Sequence, residues 1–163
     1  MAVRVGDGFP DVTLKSLTPG GMKEISTAEL CAGKRAVIFG VPGAFTPTCS
    51  DDHLPGFVAR AADLRAAGAD VIACVSVNDA FVMAAWGTSR NVGDDVLMLA
   101  DGNGELARAL GLEIDLSAYG MGPRSRRFAA IVDDGTVELL NVENGPGVEV
   151  SSAETVLAAL SAA

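Results

Sequence analysis

Three largely apolar runs constrain this chain more than any other feature of its sequence: residues 36–41, residues 71–77 with Ser76 as their single polar side chain, and residues 128–132. Runs of this length without polar alternation are typical of strands that are buried on both faces. Such strands need helices above and below the sheet. Between the first two runs, apolar residues recur at helical spacing over about residues 48–67, which predicts a β-α-β unit with parallel strands.

The rest of the pattern predicts a hairpin on either side of this unit. Residues 12–17 alternate apolar and polar side chains, and residues 22–25 pair back after a turn. Asp134-Gly135 is a hairpin turn signal, and Ser151 with Glu154 forms a capping box for a closing helix. This order predicts the α/β class: a thioredoxin-like fold with a mixed central β-sheet flanked by helices and an N-terminal β-hairpin extension. We expect one domain over residues 1–163.

Charge and cysteine content exclude several classes of protein. The 12 basic and 21 acidic residues give a net charge of −9, so nucleic acid and anionic membrane surfaces are not expected partners. No run approaches the roughly 18 apolar residues of a membrane-spanning helix, and the start of the chain shows no secretory signal. Three cysteines without a Cys-x-x-Cys pair, and a single histidine, argue against a disulfide scaffold and a metal site. We therefore expect a cytoplasmic protein with reduced thiols.

The segment with the most chemical information is residues 41–50, Val-Pro-Gly-Ala-Phe-Thr-Pro-Thr-Cys-Ser. It follows a buried strand and opens a helix, so Cys49 lies in the first helical turn, where the helix dipole and free N–H groups favour a thiolate. Thr46 offers a hydroxyl that can donate and accept, and Pro42 stiffens the loop. Most free cysteines are inert apolar residues, but this strand-to-helix position favours a reactive one.

The spacing Pro42-x-x-x-Thr46-x-x-Cys49 matches the signature of the peroxiredoxins. With residues 40–50 and 53–57 taken together, the chain resembles their type II, or peroxiredoxin-five, subfamily. Further similar segments extend the resemblance over nearly the whole chain: residues 74–82, 86–87, 100–104, 124–128, 141–143 and 151–154. The resemblance implies a thiol-dependent peroxidase for hydrogen peroxide and alkyl hydroperoxides, without metal, flavin or haem, that forms a homodimer.

The resemblance also assigns roles to four residues. Cys49 would attack the O–O bond, Thr46 would orient the peroxide, Pro42 would shield the sulfur and Arg127 would complete the site. The residue pattern agrees independently on Arg127, because a cation at the mouth of a strand that is apolar on both faces needs an anionic partner. A thiolate or an alkoxide leaving group would serve. The alternative is a surface arginine at a strand end.

His53 follows Cys49 by four residues and therefore shares its helical face. It could stabilise the thiolate or relay a proton. The simpler interpretation, which we favour, is a polar residue beside the pocket or at an interface.

Turnover needs a second thiol, because peroxide leaves the cysteine as a sulfenic acid. Some members of the resembling subfamily carry this thiol before the last helix, but residues 146–151 contain no cysteine. Cys74 remains as a possible resolving thiol, yet it lies within a predicted buried strand, so a bond to Cys49 would require local unfolding. We expect a one-cysteine mechanism with glutathione or glutaredoxin as the reductant. Thioredoxin acting through Cys74 is the second possibility.

Three further alternatives stay open from the sequence. A thioredoxin-fold binding or holdase protein would leave Cys49 unreactive. A disulfide oxidoreductase is disfavoured, because such enzymes carry their own resolving cysteine in a Cys-x-x-Cys pair. A peroxide sensor would share the first chemical step and pass its oxidation to a partner.

Overall fold

The computed structural model describes residues 2–162. The strands are β1 (Thr13–Thr18), β2 (Gly21–Ser26), β3 (Arg35–Val41), β4 (Val71–Ser76), β5 (Leu97–Ala100), β6 (Glu113–Asp115), β7 (Pro123–Ser125), β8 (Phe128–Asp133) and β9 (Thr136–Val142). The α-helices are α1 (Thr27–Cys31), α2 (Leu54–Ala59), α3 (Ala61–Ala66), α4 (Ala80–Ser89), α5 (Glu105–Leu110) and α6 (Ala153–Ala162). A π-helix covers Cys49–His53 and a 3₁₀ turn covers Ser117–Tyr119.

Seven of the strands form one mixed sheet in the order β2-β1-β5-β4-β3-β8-β9. Strands β3, β4 and β5 run parallel, whereas β8 and β9 are antiparallel additions on one side. The β1–β2 hairpin extends the sheet on the other side. The three apolar runs of the sequence are therefore three adjacent strands, and the mixed sheet with its N-terminal hairpin is as predicted. Strands β6 and β7 form a separate small sheet that the sequence did not indicate.

Alternate side chains of the central strands enter two different core layers. Phe39, Cys74 and Ile131 pack against α2, α3, α4 and α6 on one face of the sheet. Ile38 and Phe128 pack against α1 and α5 on the other face. Because full burial of one large apolar side chain contributes roughly 1.5–3 kcal/mol, these layers hold the ends of β3 and β8 firmly in place.

Gly40 fixes how β8 approaches the end of β3. It pairs with Phe128, and a Cβ atom added at Gly40 would lie 2.1 Å from Cε1 of the Phe128 ring. The missing side chain therefore lets this ring lie against the strand. As a result, Arg127 lies beside the loop that follows Val41.

Two local predictions are wrong. The helix expected over residues 48–67 is divided into the π-helix, α2 and α3, with a break at Arg60 (φ −102°, ψ 7°). The capping box is also displaced, because Ser152 caps α6 by accepting a hydrogen bond from the Thr155 N–H at 3.2 Å. The Ser151 hydroxyl instead donates to the Glu143 carboxylate at 2.6 Å, a tertiary contact that local spacing does not show.

Among residues 2–162, no helix is long and apolar enough to cross a bilayer.

Candidate active site

Cys49 lies where the loop after β3 becomes helical. The Ser50 N–H donates to the Thr46 carbonyl at 2.9 Å, so the first turn starts at Thr46 and contains Cys49, as predicted. The cysteine is fully buried and opens the π-helix, a conformation that often marks functional sites. The Leu54 N–H closes this wide turn onto the Cys49 carbonyl.

Arg127 supplies the positive charge beside this sulfur. It directly precedes β8 and is 6% exposed. Its Nη2 donates to Cys49 Sγ at 3.2 Å, and its backbone carbonyl accepts from the Glu143 N–H at 2.9 Å. Hydrogen bonds from a charged donor are about twice as strong as neutral ones. The sulfur of Cys49 thus accepts a hydrogen bond from a charged donor, and it gives the buried guanidinium an acceptor.

Thr46 and Pro42 lie on the open side of Cys49. Both line a cleft of about 410 Å³ that also reaches Arg127. The Thr46 hydroxyl donates to the Gly43 carbonyl at 2.7 Å, so its hydrogen is engaged and its oxygen remains free to accept. A hydroxyl acceptor and a guanidinium donor thus meet at the inner end of the cleft.

His53 lies behind Arg127 rather than in the cleft. Arg127 Nη1 lies 3.0 Å from His53 Nδ1, and His53 Nε2 lies 2.9 Å from the Ser151 carbonyl oxygen. Because a guanidinium only donates, Nδ1 must accept and Nε2 must carry the hydrogen. Burial first, and the Arg127 charge second, lower the pKa of His53 to about 3. At neutral pH the ring is therefore uncharged, and it contacts the site through the Arg127 guanidinium, which agrees with the simpler interpretation of a polar residue beside the pocket.

The outer wall of the cleft was missed by the sequence analysis. It contains Ile114, Leu116 and Tyr119 from the segment around β6 and the 3₁₀ turn, together with Glu143. The first three come from short, exposed elements without a clear apolar period. For Glu143 a weak signal existed, since it is a lone acidic residue between the β9 pattern and a Gly- and Pro-containing loop.

The other two cysteines have different surroundings. Cys74 is fully buried in β4, where its backbone lies between Phe39 of β3 and Met98 of β5. Burial above all, and then the nearby Cys49, raises the pKa of Cys74 well above its usual value. Burial also raises the pKa of Cys31 to about 11, against the opposing charge of Lys34. In the described part of the chain, no three His, Cys, Asp or Glu side chains cluster as metal ligands.

Comparison with known proteins gives matches along almost the entire length. The model of the Redoxin family matches residues 4–157. Peroxiredoxin-2E-2, chloroplastic, of Oryza sativa subsp. japonica is 58% identical over an alignment of 163 residues, which covers 97% of this chain and 72% of the relative. Peroxiredoxin-2E, chloroplastic, of Arabidopsis thaliana is 52% identical, with 98% of this chain and 70% of the relative covered. The crystal structure of reduced Prx3 in complex with H₂O₂ from Vibrio vulnificus superposes with a TM-score of 0.93 at 53% identity, over 97% of this chain and 99% of that one.

These matches correct one expectation. Both plant relatives are named chloroplastic, which contradicts the cytoplasmic location expected from the sequence. The absence of a recognisable secretory signal was too weak a basis for that assignment, because it bears on secretion alone.

Proposed function

The chain belongs to the peroxiredoxin family and is a thiol-dependent peroxidase with a thioredoxin-like fold; on this premise we propose that Cys49 is its peroxide-reducing cysteine. The observation that carries the proposal is the 3.2 Å contact between Arg127 Nη2 and Cys49 Sγ, because Arg127 also lines the cleft. Family membership sets aside a purely non-catalytic binding protein.

The proposed first step is an attack on the O–O bond. The Cys49 thiolate attacks the outer oxygen of ROOH, the O–O bond breaks, and the sulfur becomes a sulfenic acid while RO⁻ leaves and takes up a proton as ROH. Arg127 stabilises the thiolate before the attack and the negative charge on the departing oxygen during it. Thr46 accepts the hydrogen bond of the peroxide O–H, because its own hydrogen is held by Gly43. Pro42 covers the approach to the sulfur.

Hydrogen peroxide and alkyl hydroperoxides are the proposed substrates. The cleft combines the polar end at Thr46 and Arg127 with the apolar side chains of Ile114, Leu116 and Tyr119. Its volume of about 410 Å³ is ample for a small alkyl group beside the peroxide. The related Vibrio vulnificus protein has a crystal structure in complex with H₂O₂.

For recycling we keep the one-cysteine mechanism with glutathione or glutaredoxin. Glutathione attacks the sulfenic acid and releases water, which leaves a mixed disulfide on Cys49, and a second thiol reduces this disulfide to regenerate the thiolate. The position of Cys74 supports an external thiol, because it is fully buried between two neighbouring strands. A buried thiol with a raised pKa is a poor nucleophile.

We also propose that residues 1–163 form a single peroxiredoxin domain that associates as a homodimer through the loops around the site. Phe45 supports this contact, because this large apolar residue is 55% exposed. Its backbone also has a left-handed conformation, with φ 66°. Tyr119, at the cleft, is 79% exposed. Light scattering coupled to gel filtration should give twice the mass of the chain, and Phe45→Asp should shift the equilibrium toward the monomer.

The first experiment measures the intact mass of reduced wild type, Cys49→Ser and Cys74→Ser after one equivalent of hydrogen peroxide. We expect wild type and Cys74→Ser to gain one oxygen, and the product to accept glutathione with loss of water. A loss of two hydrogens that maps to a Cys49–Cys74 disulfide would instead make thioredoxin the reductant. If the masses of wild type and both variants stay unchanged for minutes, Cys49 is not the peroxide-reducing residue.

A peroxide sensor shares this first step and differs only in its next partner. Trapping during oxidation distinguishes the two roles. A sensor accumulates a mixed disulfide between Cys49 and another protein, whereas the proposed peroxidase accumulates the glutathione adduct.

A further inference from the structure

Glu143 is a buried carboxylate that follows β9 directly and is 5% exposed. Its Oε2 accepts four hydrogen bonds from the end of the next loop. These come from the N–H groups of Glu149 at 2.8 Å, Val150 at 2.9 Å and Ser151 at 2.8 Å, and from the Ser151 hydroxyl at 2.6 Å. One carboxylate oxygen thereby closes the exposed loop of residues 144–150 onto the core.

The closed loop presents a backbone carbonyl to the active site. The Ser151 carbonyl accepts from His53 Nε2, and His53 Nδ1 accepts from Arg127 Nη1. With an acceptor on one side and a pure donor on the other, a single tautomer of the ring satisfies both contacts. The ring also packs beside the stacked pair Phe39 and Phe57, with centroid distances of 5.0 and 5.5 Å.

Glu143 therefore reaches Arg127 from two directions. Its own N–H donates to the Arg127 carbonyl at 2.9 Å, which fixes the main chain at the start of β8. Its carboxylate acts on the guanidinium through the Ser151 carbonyl and the His53 ring. Only the second route depends on the side chain at position 143, so substitution there can separate the two.

We propose that Glu143 is a positioning residue for the peroxidase reaction. Its carboxylate fixes the Ser151 carbonyl, and this carbonyl fixes the His53 ring. The ring in turn aims the Arg127 guanidinium at Cys49 Sγ. The proposal rests on the proposed role of Cys49 and adds to it a residue whose carboxylate binds the following loop rather than Cys49.

The charges around this network agree with that role. Burial tends to raise the pKa of Glu143, but the hydrogen bonds from Ser151, Glu149 and Val150 outweigh it and the pKa is lowered. Glu143 is thus an anion, His53 is neutral and Arg127 is cationic at neutral pH. Arg126, on the outer side, donates to the Glu143 carbonyl at 3.0 Å. The remaining titratable groups that face this part of the core are the thiols of Cys49 and Cys74.

The test compares Glu143→Gln with Glu149→Gln. Glu149 is an exposed residue of the same loop, so its substitution removes an equal charge while its backbone N–H can still donate to Glu143. Three quantities are measured: the pH midpoint of iodoacetamide alkylation at Cys49, assigned by peptide mass spectrometry; kcat/KM for hydrogen peroxide at pH 7; and the thermal unfolding midpoint.

We expect Glu143→Gln to raise the alkylation midpoint by about one pH unit and to lower kcat/KM about tenfold, the size of one weakened charge-assisted hydrogen bond. Glu149→Gln should leave both unchanged. Combined with His53→Leu, Glu143→Gln should add little, because both substitutions interrupt one chain of contacts. An unchanged midpoint in folded Glu143→Gln, or effects that add fully in the double variant, would overturn the proposal.

Two further points keep the test decisive. If Glu143→Gln does not fold, Glu143→Asp takes its place, because it keeps the charge but withdraws it from the loop. We expect a smaller rise of the alkylation midpoint in this variant. An alkylation midpoint equal to that of wild type would overturn the proposal. Alkylation involves no peroxide. A wild type without peroxidase turnover would therefore contradict the proposed function, while the alkylation midpoints would still decide the role of Glu143.

Discussion

Cys49 and Cys74 are the same residue type in the same core layer, and both are fully buried. Their surroundings nevertheless differ in kind. Cys49 lies at the junction of a loop and a π-helix, receives a hydrogen bond from Arg127 and stands behind a cleft. Cys74 lies within a central strand with paired strands on both sides.

The difference teaches that burial alone does not decide the chemistry of a thiol. Burial without a charged donor raises the pKa of Cys74 and leaves a packing residue. Cys49 is buried as well, but a guanidinium donates to its sulfur at 3.2 Å, and a hydrogen bond from a charged donor is strongest when the acceptor is charged too. The neighbouring side chains, rather than accessibility, separate a proposed nucleophile from a core residue.

The sharpest way to break this comparison is to replace each sulfur in turn. Cys49→Ser should lower peroxidase kcat/KM by about a thousandfold or more, since a serine oxygen is not ionised at neutral pH. Cys74→Ser should stay within about twofold of wild type in a glutathione- and glutaredoxin-coupled assay. A large loss in folded Cys74→Ser would show that the strand cysteine takes part in turnover.

The second test removes the charged donor and keeps both sulfurs. Arg127→Gln should lower kcat/KM about a hundredfold, the usual cost of losing one donor to a developing negative charge. Arg126→Gln changes the net charge equally at the adjacent position and should cost less than about threefold. If the two variants lose activity equally, the loss comes from the reduced positive charge of the cleft as a whole, and the direct contact of Arg127 with Cys49 does not account for it.

The sequence predicted much of this arrangement because strong local signals coincided with the final structure. The apolar runs became β3, β4 and β8, and the strand alternation after Arg127 placed Ala129 with the Cys49 layer and Phe128 in the other. In the pattern Pro-x-x-x-Thr-x-x-Cys, only a few residues separate the three side chains, which limits the distances between them. Thr46 and Cys49 had to lie close together once the preceding strand was buried.

The rest escaped because its causes are tertiary. The Ser151 hydroxyl is taken by Glu143, so helix capping passes to Ser152. The cleft wall at Ile114 and Tyr119 belongs to three-residue elements that have no period to detect. The low pKa of His53 comes first from its burial and then from a guanidinium 74 residues away, neither of which helical spacing from Cys49 revealed.

The third test uses pH to probe the Cys49 side of the comparison through its neighbour His53, the single histidine of the chain. Its pKa is about 3 in the folded protein against an ordinary 6.5, so between these values the unfolded chain binds the proton and the folded chain does not. Stability must therefore fall as the pH drops through this window. We expect wild type to lose about 2 kcal/mol of unfolding free energy from pH 7 to pH 5.

His53→Leu provides the control for that measurement, because it places an apolar side chain beside Phe39 and Phe57 and cannot titrate. Urea unfolding at both pH values should show a nearly flat profile for the variant over this range. Parallel profiles for variant and wild type would mean that His53 titrates normally, and the hydrogen bond assigned from Arg127 to its Nδ1 would then be wrong.

The smallest expected effect concerns Thr46 in the cleft beside Cys49. Among residues 2–162, Cys74 has no comparable hydroxyl beside a cleft. Thr46→Val removes the hydroxyl that is proposed to accept the peroxide O–H and should lower kcat/KM about tenfold, the value of one hydrogen bond of about 1–1.5 kcal/mol. Thr46→Ser keeps the hydroxyl and should restore most of the rate. Thr48→Val makes the same exchange two residues further along, at a residue whose side chain makes no capping hydrogen bond, and should change little. A wild-type rate in Thr46→Val, together with a loss in Thr46→Ser, would show that the methyl group matters at this position through the shape of the loop, and that the hydroxyl does not hold the substrate.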